Sequence, residues 1–161
     1  QYKGMEKHNL ILFPHRIAPE KQIDIFRDLA KELPFKCIVC QDSELTKDEY
    51  HELLGTAKMV FSANLQETLG ISCYEGAIVN TIPLVPDRLS YSEMYNEMYK
   101  YPSEWTRSFK HYIKHKKELI SVITDIMDNY PIYLGSLIDQ TDELLQFFHG
   151  EKLYNTISSS V

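Results

Sequence analysis

Asn9-Leu10-Ile11-Leu12-Phe13-Pro14 is a continuous apolar run closed by a proline, and its reading decides the fold. A strand with one wet face alternates apolar and polar residues. A strand covered on both faces does not, so this run predicts a strand inside a sheet with layers on either side. The pattern continues outward from it. After the polar turn His15-Arg16-Ile17-Ala18, Pro19 suits the first turn of a helix and Glu20 favours its positive end. Ile23, Phe26, Leu29, Ala30 and Leu33 then recur at helical spacing as far as Pro34. A second strand is expected over 36–40. Thr46 and Glu49 have the spacing of a capping box, ahead of a short helix that carries Tyr50, Leu53 and Leu54 and closes at Gly55. Met59-Val60-Phe61-Ser62 predicts a third strand, 69–79 a helix, and Thr81-Ile82-Pro83-Leu84-Val85 a fourth strand.

Strands alternating with helices across short connections imply parallel pairing through crossovers, hence an α/β, doubly wound sheet of Rossmann-like type. Beyond Pro86 the pattern is helical: one helix over 104–130, a break at Asn129-Tyr130-Pro131, and a last helix over 133–149, with Ser158-Ser159-Ser160-Val161 as a frayed tail. The 161 residues read as a single domain, 1–161, with a sheet core over 8–95 and C-terminal helices over 104–149.

Composition is that of a folded domain, with 43% hydrophobic and 25% charged residues and a net charge of −6. Disordered, collagen-like and disulfide-scaffold classes are excluded. No apolar run reaches the length of a bilayer span, and Gln1-Tyr2-Lys3-Gly4-Met5-Glu6-Lys7 lacks the apolar centre of a signal peptide. The cysteines are three, an odd number, and Cys37 and Cys40 fall on a strand, where residues three apart face opposite sides. They read as reduced core thiols in a cytoplasmic protein, not as a redox or metal pair.

In such sheets ligands bind beyond the carboxyl ends of the strands. Three segments stand there: His15-Arg16 through Lys21, the stretch from Ser62 to Gly70, and Pro86-Asp87-Arg88. Neither a G-x-G-x-x-G fingerprint nor a Walker-type loop is present, which disfavours hydride transfer and P-loop hydrolysis. Glu67 lies in a loop and Glu75 inside the following helix. Gly70 allows close approach to the backbone. The N–H groups of Leu69, Gly70 and Ile71 form a site for an anion or a hydroxyl at the helix start. Two carboxylates there can accept from neighbouring sugar hydroxyls, and Arg16 and Lys21 supply cations for a diphosphate.

Glu67-Thr68-Leu69-Gly70-Ile71-Ser72-Cys73-Tyr74-Glu75 and Arg16-Ile17-Ala18-Pro19-Glu20-Lys21 together resemble the E-x7-E and Arg-x4-Lys motifs of retaining GT-B glycosyltransferases, in the large family that includes glycogen and sucrose synthases. The resemblance is to their C-terminal, donor-binding half and covers roughly 8–95. The family's Gly-Phe-Gly after the first Glu is Thr68-Leu69-Gly70 here, and its glycine before the arginine is His15. The resemblance implies a hexosyltransferase that uses a nucleotide diphosphate sugar, UDP- or GDP-linked, with no other cofactor and no metal; the sequence has no D-x-D motif. Arg16 and Lys21 would bind the diphosphate and stabilise the leaving group, and Glu67 would stand beside the donor sugar. Leu69, Gly70 and Ile71 would offer backbone groups, and Glu75 would hold the ribose hydroxyls. A narrower likeness, in Pro14-His15-Arg16 and Pro86-Asp87-Arg88-Leu89-Ser90-Tyr91-Ser92-Glu93, is to the subgroup that mannosylates queuosine in tRNA, and adds His15, Arg88 and Tyr91 to the donor site.

The family's acceptor-binding, N-terminal Rossmann-like domain has no counterpart in these residues. It would be supplied in cis or in trans, and the isolated chain is expected not to turn over. The alternative reading is a non-catalytic nucleotide-binding or protein-interaction module on the same fold. The stretch 100–117 carries six cations and one carboxylate, a local charge of +5, against −11 for the remainder. Such a segment suits a polyanionic acceptor, a nucleic acid among them, or a phospholipid surface, with a solvated helix face as the default reading. His111 and His115 read as a solvent-facing pair, and Trp105, Tyr95, Tyr99 and Tyr101 as packing residues.

Overall fold

The computed structural model describes residues 4–66 and 70–148. Its sheet has five strands, β1 (His8–Phe13), β2 (Lys36–Val39), β3 (Ala57–Phe61), β4 (Ile82–Pro86) and β5 (Lys100–Tyr101), in the order β2-β1-β3-β4-β5. Every pairing is parallel, with Ile11 opposite Cys37 on one side and Met59 on the other. The helices are α1 (Ile23–Glu32), α2 (Lys47–Thr56), α3 (Ile71–Ile78), α4 (Tyr91–Met94), α5 (Phe109–Asp128) and α6 (Tyr130–Phe148).

The apolar runs are the sheet's centre. Ile11, Leu12, Phe13, Met59, Val60 and Phe61 are all buried to within 1% exposure, as strands covered on both faces require. α3 lies close on β3 because Gly76 has no side chain: a Cβ there would stand 3.0 Å from Val60 Cγ2. Thr81, also buried, has its hydroxyl proton taken by the Leu54 carbonyl at 2.6 Å and accepts from the Lys7 ammonium at 2.9 Å. The capping box of α2 forms in both directions, Glu49 N–H to Thr46 Oγ1 at 3.1 Å and Thr46 N–H to Glu49 Oε1 at 3.0 Å. All three cysteines are free thiols, and burial pushes Cys37 and Cys40 up to about 11.

The structure departs from the sequence reading in four places. The helix expected from Pro19 is a single 3-10 turn, Pro19–Lys21, and α1 starts only after Gln22, whose φ of 53° is left-handed. That conformation sends the Gln22 amide across to the Ala63 carbonyl at 2.8 Å, a tertiary bond that no local pattern encodes. The chain beyond Pro86 is not purely helical. β5 pairs Val85 with Lys100 and Pro86 with Tyr101, extending the sheet past residue 95, but two residues are too few to show a period. The stretch 103–106 is a separate 3-10 turn, and α5 begins at Ser108, whose hydroxyl accepts from the His111 N–H at 3.3 Å. Finally, α6 starts at Tyr130, with Pro131 inside its first turn, where a missing N–H costs nothing. The tail at 158–161 lies outside the described residues.

Tyr95, Tyr99 and Tyr101 are core residues, each within 3% exposure. Tyr101 stacks between Phe61 and Trp105, and Trp105 in turn on His115, with centroid distances of 6.1, 6.2 and 6.1 Å. His111 instead shares a proton with Ser108 Oγ at 2.7 Å, so the two histidines have different surroundings.

Candidate functional site

The strand order places the crevice. From β1 the chain crosses to β2 on one side, and from β3 to β4 on the other, so the loops after β1 and β3 diverge at neighbouring strand ends. His15 through Lys21 follow β1; Ser62 through Gln66 follow β3.

The second of these loops is fastened one backbone group after another. Ser62 N–H donates to the Leu84 carbonyl at 3.0 Å, and its own carbonyl accepts from the Tyr101 hydroxyl at 2.6 Å. The Ala63 carbonyl accepts from Gln22 Nε2 and from Arg88 Nη2 at 2.9 Å. The Asn64 carbonyl takes Arg88 Nε at 2.8 Å, Leu65 N–H donates to the Glu20 carbonyl at 2.7 Å, and the Gln66 carbonyl takes Lys21 Nζ at 3.3 Å. The segment that leads to Glu67 is thereby tied to the loop after β1 and to the loop after β4. Glu67, Thr68 and Leu69 themselves lie outside the described residues.

Of the residues singled out by sequence, His15 is buried and its Nε2 meets the Phe61 carbonyl at 3.0 Å. A carbonyl only accepts, so Nε2 carries the proton. Lys21 is 8% exposed, an unusual burial for lysine, with its ammonium along the Gln66 carbonyl. Arg16 is the opposite case: its side chain is 73% exposed and, among the described residues, pairs with Glu20 at 3.0 Å. Gly70 is left-handed, with φ 61°, and caps α3; Ile71 opens the helix and is exposed. The close approach that Gly70 permits is that of Tyr91, whose ring Cε1 would stand 2.6 Å from a Cβ at residue 70. Tyr91 is wholly buried, its hydroxyl accepting from Ser62 Oγ at 3.2 Å and Asn64 Nδ2 at 3.1 Å. Arg88 spends all three guanidinium nitrogens on protein oxygens, adding Ser103 O at 2.8 Å and Thr106 O at 3.2 Å to its bonds on the β3 loop. Arg88 and Tyr91 therefore frame the site and hold its loop.

Glu75 stands apart from that frame, on the wall of a cleft of about 300 Å³ between the ends of β1 and β2 and the face of α3. Pro14, Leu45, Thr46, Tyr50 and Ser72 line the same cleft. The Glu75 carboxylate lies 3.4 Å from His51 Nε2 and is 33% exposed. Burial first, and then the nearby Glu75 charge, push the Tyr50 hydroxyl far above its ordinary value. The rule that ligands sit beyond strand ends, applied to the loop after β2, would have pointed to this wall. The sequence reading used only the loops after the first, third and fourth strands, and placed Tyr50 in the core.

The first turn of α3 has N–H groups without carbonyl partners within the helix and presents its positive end beside this cleft. The arrangement offers a carboxylate acceptor, a mostly polar wall in which Leu45 and Tyr50 are the apolar patches, a helix amino end and two cations along one edge of the sheet.

No protein-family model and no curated protein matches the chain. Among solved structures it is similar to the crystal structure of TarM, a glycosyltransferase of GT-B type, with a TM-score of 0.60 and 16% identity. The match covers 98% of this chain and 36% of that one, so the chain spans little more than a third of TarM's length. The likeness is one of fold: a five-stranded parallel α/β sheet of Rossmann-like type that matches one half of the GT-B architecture.

Proposed function

We propose that the chain is the donor-binding half of a GT-B glycosyltransferase, transferring a hexose from a UDP- or GDP-linked sugar with retention at the anomeric carbon. The observation that carries this reading is the cleft beside Glu75, which sits at the carboxyl edge of the sheet next to the amino end of α3. A carboxylate has no proton to give at neutral pH and accepts from two neighbouring hydroxyls at once, which suits a ribose diol. Leu45 and Tyr50 offer an apolar wall for the base.

From there the diphosphate reaches the first turn of α3, where unpaired N–H groups and the helix dipole favour negative charge. Lys21 lies on the neighbouring loop. Among the described residues Arg16 is held by an exposed ion pair with Glu20, which is worth little in water and is readily exchanged for phosphate. These groups would stabilise charge on the departing diphosphate as the glycosidic bond breaks, a task for fixed donors and cations. Glu67, which the fastened loop leads to, would meet the sugar. Ile17, Leu65, Ile71 and Leu89 are exposed apolar residues at this one edge, three in its loops and Ile71 at the start of α3. They support a second Rossmann-like domain, carrying the acceptor, that closes over the cleft.

Titration calorimetry with UDP and with GDP tests the reading. One of them is expected to bind, with Glu75→Ala weakening it about tenfold or more through the lost charged hydrogen bonds. Lys21→Ala should lower affinity for the diphosphate but not for the nucleoside, with thermal melts confirming that both variants fold. Binding unchanged in both variants, or no binding of either nucleotide to the wild-type chain, refutes it.

A further inference from the structure

The six cations of 100–117 divide in two. Lys100 is paired with Glu97 at 3.1 Å and Asp87 at 3.6 Å, and Lys116 with Asp28 at 2.6 Å and with Glu32. Arg107, Lys110, Lys114 and Lys117 are exposed and make no ion pair among the described residues. On α5 the core face carries Tyr112, Leu119, Ile123 and Ile126. Lys110, Lys114 and Lys117 recur at helical spacing on the opposite face, with Arg107 just ahead of the helix. Phe109, 43% exposed, and Ile113, 52% exposed, run alongside at i and i+4. An open cleft of about 400 Å³ lies on this face beside Ile113, lined by Glu104, Lys110, His111, Ile113 and Lys114. The carboxylate on this stretch is Glu104, and Glu118 follows it directly.

We infer that this face of α5 docks the protein on an anionic phospholipid surface. Charge complementarity and the apolar pair together select that occupant. Phosphates alone reward the cations, whereas a headgroup layer over acyl chains rewards cations and exposed Phe109 and Ile113 at once. The chain's net charge of −6 does not oppose this, since beyond about 8 Å at physiological salt the acidic remainder is screened from the surface. It instead sets the orientation, because 100–117 carries +5 and the remainder −11. Ser108, the N-cap of α5, lies two residues after Thr106, whose carbonyl accepts from Arg88 and Gln22, so docking would hold the candidate site's edge near the membrane plane.

The test is partition of the 161-residue chain between buffer and vesicles. Phosphatidylcholine vesicles with and without phosphatidylserine are compared, read by co-sedimentation and by the emission of Trp105, the single tryptophan, next to Glu104 in the cleft. Binding to the serine-lipid vesicles alone, weakened by salt, is expected. Each charge unit near the surface is worth about fivefold, so Lys110→Glu with Lys114→Glu, a change of four units, should lower partition by more than about a hundredfold. Phe109→Ser with Ile113→Ser should weaken it with charge unchanged. Lys31→Glu with Lys36→Glu, the same net change on another face, should leave binding within the few-fold effect of long-range charge. The proposal is overturned if the wild-type chain ignores anionic vesicles, if both charge variants fall equally, or if an RNA or DNA oligonucleotide binds more tightly than the vesicles and displaces them. Matching melting curves for all variants exclude misfolding as the cause.

Discussion

Gly70→Ala is the substitution whose cost the structure specifies most fully. Residue 70 has φ 61° and ψ 43°, a left-handed conformation that costs an L-residue roughly 1–2 kcal/mol. The new methyl would also meet Tyr91 Cε1 at 2.6 Å and Cδ1 at 3.4 Å. That ring cannot step aside easily. It is fully buried, and its hydroxyl is fixed by Ser62 and Asn64. Forcing a methyl against such a ring costs typically about 1–3 kcal/mol. The sum is about 2–5 kcal/mol, and in a chain of this size each kcal/mol lowers Tm by about 2–4 °C, so a fall of roughly 5–15 °C is expected. Urea and thermal denaturation followed by circular dichroism measure it. The two causes separate in a double-mutant cycle with Tyr91→Leu, which removes the ring edge: there Gly70→Ala should cost only the backbone part. A Gly70→Ala protein within about 0.5 kcal/mol of wild type would refute both the conformation and the contact.

Gly135 is the counter-case, since it lies inside α6 with open space where a Cβ would go; Gly135→Ala should stabilise by about 0.5–1 kcal/mol in the same melts. Thr46→Ala removes one half of the α2 capping box and should cost about 1 kcal/mol. Arg88→Met leaves carbonyls of Ala63, Asn64, Ser103 and Thr106 without a shared donor and should cost at least about 3 kcal/mol, with amide exchange of 62–66 accelerated; Arg88→Lys, with three donors on one nitrogen, should recover only part. On the alkaline side, Cys37 and Cys40 titrate near 9 when unfolded and at about 11 when folded, so above pH 9 the folded chain keeps protons the unfolded chain has released. The cysteines should therefore contribute fully below about pH 9 and lose that contribution between about pH 9 and 11, a slope reinforced by buried tyrosines such as Tyr101, while Lys7, lowered from 10.5 to about 8, offsets part of it up to about pH 10.5. Cys37→Ser with Cys40→Ala should flatten the first part of that fall in pH-dependent urea melts.

What the sequence made legible was whatever local chemistry repeats. β1 and β3 announced themselves because burial on both faces removes every polar residue from Leu10 to Phe13 and from Met59 to Phe61. The α2 cap was equally plain, since Thr46 and Glu49 satisfy each other's backbone within four residues. β5 was illegible because its two residues are placed by β4 and by the aromatic stack under Tyr101, not by their own pattern. The same holds at the site. Arg16 and Lys21 were visible as charges after a strand end and Glu75 as the second carboxylate of a spaced pair, whereas the fastening of 62–66 by Gln22 and Arg88 depends on partners 24 and more residues away and leaves no periodic trace. Arg88 was assigned to the donor site by the likeness of 86–93 to the queuosine-mannosylating subgroup, which carries no information on what its guanidinium bonds. Only its surroundings reveal that its donors are already taken.

The fastening of that loop has a consequence for how the protein can change over generations. Apart from the bond of the Asn64 amide to Tyr91, the tertiary bonds that hold 63–66 end on carbonyls and on one N–H, groups that every residue other than proline possesses. Leu65 and Gln66 point no obligatory side chain into that arrangement and are exposed. Substitutions there can alter what the loop presents to a sugar without loosening its path. The constraint falls on Gln22, Arg88 and Tyr101, which sit on other elements and need not touch the ligand. Such a division lets selectivity drift at the rim while the architecture beneath stays fixed, and it marks Leu65 and Gln66 as the positions where directed evolution should search first.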